Sequence, residues 1–415
     1  MKKKLLAVAV AGALAAPGIA LAQSSVTISG IFKASVQQYK MGNASAARAG
    51  TNTSQTLMHD DSSRIIFNIT EDLGGGLAAV GQADWRIVLD QHTNAGNAPG
   101  VGVAGTPNDN VGGNTHIGLR SKSWGRVIFG QQDVHYFGRE SDLTVKNDLQ
   151  SDSISLLAFT SGLGANGNAA SPGVAIAGAT RTRNLVHYTT PNWGGFTGIV
   201  AYSFNPTTAE NDLGSGGRKG NAWNLAPVFE GRNFTIGYSY WRQKADLAFG
   251  ASTGAAVNQR GDRLFGSYRW GGFKIGAAWD KSRVTSEGLN NVFTGSTTVA
   301  KRDAWSIPIE YTWGPHWVGG HYTKANNDKA TTCSSVGAAN CALGLDRDGA
   351  KMWAIGYNYS MSKRTSVAVT YAQIKNDPGA TYTPFTGSGS LGSIGHAPLP
   401  GEDPRFWSMT MRHAF

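Results

Sequence analysis

Along most of this chain, bulky apolar residues recur at every second position, with small or polar residues between them. The clearest stretches are Phe234-Thr-Ile-Gly-Tyr-Ser-Tyr240, Phe273-Lys-Ile-Gly-Ala-Ala-Trp279, Trp305-Ser-Ile-Pro-Ile-Glu-Tyr311, Trp353-Ala-Ile-Gly-Tyr-Asn-Tyr359 and Thr365-Ser-Val-Ala-Val-Thr-Tyr371. Period two gathers the bulk on one face of an extended chain, so each stretch predicts a half-buried strand. The pattern predicts about sixteen strands, at 25–39, 63–71, 77–89, 114–120, 124–130, 181–190, 195–204, 221–230, 232–242, 262–270, 272–282, 302–313, 316–324, 350–360, 364–374 and 405–415.

The connections alternate in kind. Seven are tight: Glu71-Asp-Leu-Gly-Gly-Gly, Ser121-Lys-Ser, Pro191-Asn-Trp-Gly, Glu230-Gly-Arg, Trp270-Gly-Gly, Trp313-Gly-Pro and Met361-Ser-Lys. The intervening eight are long and polar. Short turns at one end and long loops at the other fit a membrane barrel, and sixteen strands close around an aqueous channel. Aromatics gather at the tight turns: Trp124, Trp193 with Phe196, Phe229 with Phe234, Trp270 with Phe273, and Trp313 with Trp317. On a barrel they would ring one lipid–water boundary, where amphipathic rings are favoured.

Composition removes the competing classes. Only 15% of the 415 residues are charged, 55 are Gly and 41 are aromatic, which is too aromatic for disorder and too rich in Gly for a helical protein. No apolar run reaches the roughly 20 residues that a membrane helix needs. Lys2, Lys3 and Lys4, the apolar run Leu5 to Ala16 and the small-residue triplet Ala20-Leu21-Ala22 have the order of an export leader cleaved after Ala22. Removing 1–22 takes away three Lys and no acid, leaving 34 Lys+Arg against 27 Asp+Glu, a net +7 for a single domain over 23–415. Cys333 and Cys341, the two cysteines, are a candidate disulfide after export.

Alternation alone cannot say which face points outward. The polar face can: it is small (Gly237, Ser239, Gly276, Ala278, Gly356) and studded with Arg, whereas a soluble surface mixes both charge signs. The polar face therefore lines a lumen.

Particular runs carry a family likeness. Ser62-Ser-Arg-Ile-Ile-Phe-Asn-Ile-Thr-Glu-Asp-Leu-Gly-Gly-Gly-Leu77, Trp124-Gly-Arg-Val-Ile-Phe-Gly130, Arg183-Asn-Leu-Val-His-Tyr-Thr-Thr-Pro-Asn-Trp-Gly-Gly-Phe196 and Met411-Arg-His-Ala-Phe415 resemble Gram-negative general-diffusion porins, especially the betaproteobacterial and neisserial group. The likeness runs through 23–415 in strand order. It implies an all-β, transmembrane antiparallel barrel of sixteen strands in the outer membrane, a homotrimer, with the third long loop folded into the lumen. It also implies passive diffusion of ions and small hydrophilic solutes. The last strand, ending in Phe415, resembles the signal read by the outer-membrane assembly machinery.

Selectivity in a pore rests on its radius and on lining charge. With bulk outward, the lumen receives Lys33, Arg64, Arg86, Arg120, Arg126, Arg183, Arg263, Arg269, Lys274, Arg364 and Arg412, against Asp84, Glu230, Asp280 and Glu310. Arg120, Arg269, Lys274 and Arg364 sit by tight turns, at the rim. By resemblance, Arg64 and Arg183 match an arginine cluster on the wall facing the third loop, with Arg86, Arg126 and Lys33 as further candidates. Where relatives have Arg near the fourth strand, this chain has Asn114-Thr115-His116, so the cluster is one member short there. The third loop, 131–180, carries Asp133, Glu140, Asp142, Asp148 and Asp152 against Arg139 and Lys146. An acidic loop opposite a basic wall gives a transverse field and an anion-preferring lumen.

Other chemistry finds little support. Gly100-Val-Gly-Val-Ala-Gly105 and Gly387-Ser-Gly-Ser-Leu-Gly392 lack the strand–helix context of a dinucleotide fingerprint, and Gly250-Ala-Ser-Thr-Gly254 sits in a polar loop rather than a nucleophile elbow. Nothing calls for a cofactor, a metal, a catalytic residue or nucleic acid. The expected partners are identical subunits, outer-membrane lipid and lipopolysaccharide, small solutes and inorganic anions. The alternatives are a substrate-specific channel, for which Tyr136, Phe137 and Phe159 in the third loop leave room, and an outer-membrane barrel enzyme.

Overall fold

The computed structural model describes residues 24–46, 49, 52–87, 89, 111–138, 152–159, 179–206, 220–249, 252–287, 298–330, 338–344, 346–384 and 398–415. The leader, 1–22, lies outside them. The strands are β1 (Ser25–Gly42), β2 (Ser54–Asp60), β3 (Arg64–Gly74), β4 (Leu77–Arg86), β5 (Thr115–Ser121), β6 (Gly125–Asp133), β7 (Arg181–Thr189), β8 (Phe196–Ser203) and β9 (Gly220–Glu230). They continue with β10 (Phe234–Phe249), β11 (Ser252–Trp270), β12 (Phe273–Glu287), β13 (Thr298–Trp313), β14 (His316–Ala325), β15 (Ala350–Ser360), β16 (Thr365–Asn376) and β17 (Asp403–Ala414).

Every pairing is antiparallel, and β17 pairs back onto β1 from Ile31↔Ala414 to Gly42↔Asp403, so the sheet closes on itself. Closure uses the ends of the chain: Gly30 and Phe415 exchange both backbone hydrogen bonds at 3.1 Å. The seventeen segments make sixteen barrel strands, because β2 and β3 are one strand interrupted. β1 pairs with β3 up to Ile31↔Arg64 and with β2 from Ala34↔Asp60 onward. Three residues, 61–63, therefore oppose two, 32–33, which is the count of a β-bulge. Ser62 there is left-handed (φ 74°), and the Asp60 carboxylate accepts the Ser62 and Ser63 N–H groups at 3.1 and 3.2 Å.

The exposed face is the apolar one. Ile69, Ile117, Phe129, Ile236, Leu264, Ile309, Ile355 and Met409 are all about half exposed or more, while Ser35, Gln37, Asn224, Ser239, Asp280 and Thr323 are buried. A barrel with bulk outside and polarity inside is built for a hydrocarbon surround. At the tight turns a near-continuous chain of rings runs across the wall, from Trp270–Phe273 (centroids 5.0 Å) through Phe273–Tyr311 (4.2 Å) and Tyr311–Trp313 (5.3 Å) to Trp313–His316 (5.2 Å). Trp317 corrects the sequence reading, because it faces inward and its indole N–H donates to Glu310 Oε2 at 3.0 Å; its neighbour His316 takes the outward place. Toward the loop end a second belt contains Trp305–Tyr322, Trp353–Tyr371 and Tyr371–Trp407. Trp305 and Trp313 are eight residues apart on one strand, roughly 27 Å along it and about 20 Å once the usual tilt is allowed for.

The wall is uneven. β10 to β13 have 15 to 19 residues, whereas β5 to β8 have 7 to 9. The hairpin β10–β11 runs unbroken to Leu247↔Ala255, through residues the alternation leaves as loop, and Gly254 of the GxSxG string lies within β11. Ile309 stands midway between the two belts, so Ile309→Lys places a charge at mid-membrane. It is expected to lower stability by about 2–4 kcal/mol, read as a shift in the urea midpoint of folding into lipid vesicles, with Ile309→Leu unchanged.

Candidate functional site

The third loop crosses the lumen and is fastened to the far wall at two places. Leaving β6, it forms a single 3-10 turn, His135–Phe137. His135 is left-handed (φ 35°), and its Nδ1 shares a hydrogen bond of 2.9 Å with Ser239 Oγ on β10. Burial, with Arg263 beside it, holds the imidazole well below its ordinary pKa, so the ring is neutral. The close approach needs Gly261: a Cβ there would stand 2.5 Å from His135 Nε2. Tyr136 is bonded to Ser282 Oγ at 2.9 Å, and Ser282 in turn donates to Asp280 at 2.7 Å. The Arg263 guanidinium lies 4.7 Å from the Tyr136 ring centroid and 3.3 Å from Asp280 Oδ2.

The second fastening lies beyond residue 151. The short helix Ile154–Leu157 packs on β13, β14 and β15. Arg302, buried on β13, donates to the Leu157 carbonyl at 3.0 Å and the Tyr382 hydroxyl at 2.8 Å, and covers the Phe159 ring at 4.7 Å. Near it, Asp348 accepts the Asp328 N–H at 2.6 Å, and burial pushes the Asp348 carboxyl up to about 7, with the neighbouring Asp328 charge adding to the rise.

Across the lumen, eight strand positions away, β3 and β4 present the arginines. Arg64 and Arg86 are directly opposed cross-strand neighbours and share one carboxylate, Asp84, at 3.6 and 2.9 Å. The bulge supplies their second partner, since Ser62 Oγ accepts from both guanidinium groups. Arg181 stands within electrostatic reach of both. It pairs with Asp133 at 3.0 Å and lies 5.7 Å over the Phe137 ring. Three arginines thus share two aspartates on this wall, and Asp84 has two cations to neutralise.

The structure redistributes several predicted residues. Arg183 does not join the cluster. A register shift between Gly130 and Gln132, with Asn184 left-handed (φ 53°), turns it to a shallow outer depression beside Phe129, Val186 and Phe204, where its Nε donates to Gln131 Oε1 at 3.2 Å. Arg126 pairs across strands with Arg120, next to a tight turn, and its near neighbours are His116 and His187. Lys33 is buried on the inner face, within electrostatic reach of Asp152. Asp133 belongs to the arginine wall rather than to the loop, and Asn114 donates to it at 2.8 Å. Burial raises the Asp152 pKa, and hydrogen bonds from Ile154 N–H and Ser153 hold it back. Glu140, Asp142 and Asp148 lie outside the described residues. So does Cys333, whereas Cys341 is disulfide-bonded. Tyr136 and Phe159 are buried as fastenings and form no track along the lumen.

Arg181 and Arg302 join the inward basic residues that the sequence predicts. The parity of Trp305, Ile307 and Ile309 outward already turns Arg302 inward. Arg181 shares the parity of Arg183 in the predicted strand, and only its pairing with Asp133 beside Arg64 and Arg86 identifies it.

Comparison with known proteins bears on the same features. The family model described as Gram-negative porin matches residues 7–379. The outer membrane porin protein 32 of Delftia acidovorans is 33% identical over 218 residues, 52% of this chain and 54% of that protein, so this match spans about half the relative's length. An outer membrane porin protein of Bordetella pertussis is 28% identical over 411 residues, 91% of this chain and 95% of that protein. Among solved structures, the anion-selective porin from Comamonas acidovorans superposes with a TM-score of 0.66 at 22% identity, covering 95% of this chain and all of that one.

Two outcomes follow. Asp280→Asn leaves Arg263 buried without its counter-ion and is expected to cost about 3 kcal/mol, measured as a lower urea midpoint and accompanied by noisier single-channel current as the loop loosens. Asp348 favours its neutral form when folded, so its contribution is full at low pH and is lost as pH rises from about 4 through about 7. Asp348→Asn should therefore flatten the fall in thermal midpoint between pH 5 and pH 8.

Proposed function

Because the chain belongs to the Gram-negative porin family, we propose that it forms a water-filled outer-membrane channel for passive diffusion of ions and small hydrophilic solutes, with a preference for anions. The observation that carries the preference is the wall at β3, β4 and β7, where Arg64, Arg86 and Arg181 outnumber Asp84 and Asp133. Low-dielectric walls focus that excess charge into the opening. The fastened third loop supports this reading, since it keeps solutes against the arginine wall. The name of the Comamonas acidovorans structure states the same selectivity for that protein.

The remaining elements belong to the same proposal: export by a cleaved segment 1–22, delivery by the assembly machinery reading the strand that ends at Phe415, and passage without catalysis. Assembly as a trimer of identical chains is also proposed. Its support is the low arc of β5 to β8, whose outward face is apolar and short. A substrate-specific channel is less well supported, because the loop aromatics Tyr136 and Phe159 are committed to the far wall.

In planar bilayers under a salt gradient, the protein should show an anion-favouring reversal potential. Arg64→Ala, Arg86→Ala and Arg181→Ala should each move it toward zero, while Arg183→Ala should leave it nearly unchanged. A cation-favouring sign in the unmodified protein would overturn the preference, and absence of conductance would overturn the channel.

A further inference from the structure

The outer surface carries a charge pattern that passage of solutes does not use. Just beyond the loop-end aromatic belt, the strand register sets cation directly beside cation: Arg242 opposes Arg260, Arg260 opposes Arg283, and Arg283 opposes Lys301. All four are exposed on the outward face, above Tyr240, Leu264, Trp279 and Trp305 of the same strands. A second row follows round the wall, where Lys324 opposes Lys351 and Lys351 opposes Lys375. Directly opposed like charges destabilise a sheet.

The row one step closer to the membrane is the control within the molecule. There Asp262 opposes Lys281 and Lys281 opposes Asp303, so opposite charges face one another. Arg260 also reaches Asp262 at 2.7 Å. Arg242, Arg283 and Lys301 have no ion pair among the described residues. The unbalanced row therefore lies where the lipid headgroups of the loop-side leaflet begin. On the low arc, outward positions toward the loop end include Phe129 and Gln131, and Arg183 carries charge there without a neighbouring cation directly opposite it among the described residues.

We infer that the outward row Arg242, Arg260, Arg283 and Lys301 is a binding surface for phosphorylated lipid headgroups of the outer leaflet. Adjacent strands are about 4.8 Å apart, so four cations on four strands span about 15 Å, wide enough to engage a headgroup carrying two phosphates. Guanidinium groups pair with phosphate through two parallel hydrogen bonds. Filling the row with phosphate removes the repulsion that the register imposes and pins the barrel at a fixed depth. The lipid is thus a structural partner of the long wall, β10 to β13.

The test titrates detergent-solubilised protein with diphosphorylated lipid A and with the same lipid stripped of phosphate, counting bound lipid by native mass spectrometry. The phosphorylated form should bind at least tenfold more tightly. The triple variant Arg242→Gln, Arg283→Gln, Lys301→Gln should lose that preference by tenfold or more while keeping the bilayer reversal potential of the unmodified protein. Arg64→Ala should do the reverse, so failure of the lipid site and failure of the anion-preferring lumen are separable. Should the triple variant not fold, Lys324→Gln, Lys351→Gln, Lys375→Gln tests the neighbouring row with the same readout. Equal binding of the two lipids, an undiminished preference in the variants, or competition by inorganic phosphate at the same concentration as the lipid would each overturn the assignment.

Discussion

A chain that crosses hydrocarbon must satisfy every backbone N–H and C=O within itself. Here that demand is met by pairing the last strand with the first, residue by residue, so that no edge remains. Much of the rest follows from closure. A closed sheet has an inside, and bulk on alternate positions must go out into lipid, leaving Ser, Thr, Asn, Gly and charged residues to face water within. Because the wall has no gap, anything that narrows the passage must come from a loop folded into it.

That folded loop is held by polar contacts made inside the barrel. Each fastening couples a loop group to a charged side chain already committed to the wall: Tyr136 through Ser282 to the Arg263–Asp280 pair, and Leu157 and Phe159 to Arg302. Buried ion pairs are weak sources of net stability but strict about geometry. Their use here gives the loop one resting place, opposite Arg64 and Arg86. The arginines are positioned with equal care, since the bulge at 61–63 sets Ser62 between them and Asp84 bridges them.

The alternation made the barrel legible because lipid on one side and water on the other impose a two-residue period on nearly every strand. Where that asymmetry disappears, so does the signal. Beyond Gln243 the β10–β11 hairpin continues past the loop-end aromatic belt, through a stretch whose sequence reads as loop. Bulges defeat it differently. An irregular residue disturbs the alternation around it, and with Asn184 left-handed and the register shifted nearby, Arg183 is turned out of the lumen. Motif resemblance brought attention to the right strand and the wrong arginine. Asp133, placed in the loop by its position after β6, proved to be a wall residue because the strand continues that far.

Gly261 meets no solute. It sits behind the third loop, and its missing side chain is the space into which His135 docks. Each methylene added at that point would lean on the loop from the rear and move it toward the arginines. The bore of the channel is therefore adjustable from outside its lining, by heritable changes at a position that leaves every passing charge and every lining residue as it was. Lineages could tighten or relax their permeability this way without revising the chemistry of selection itself.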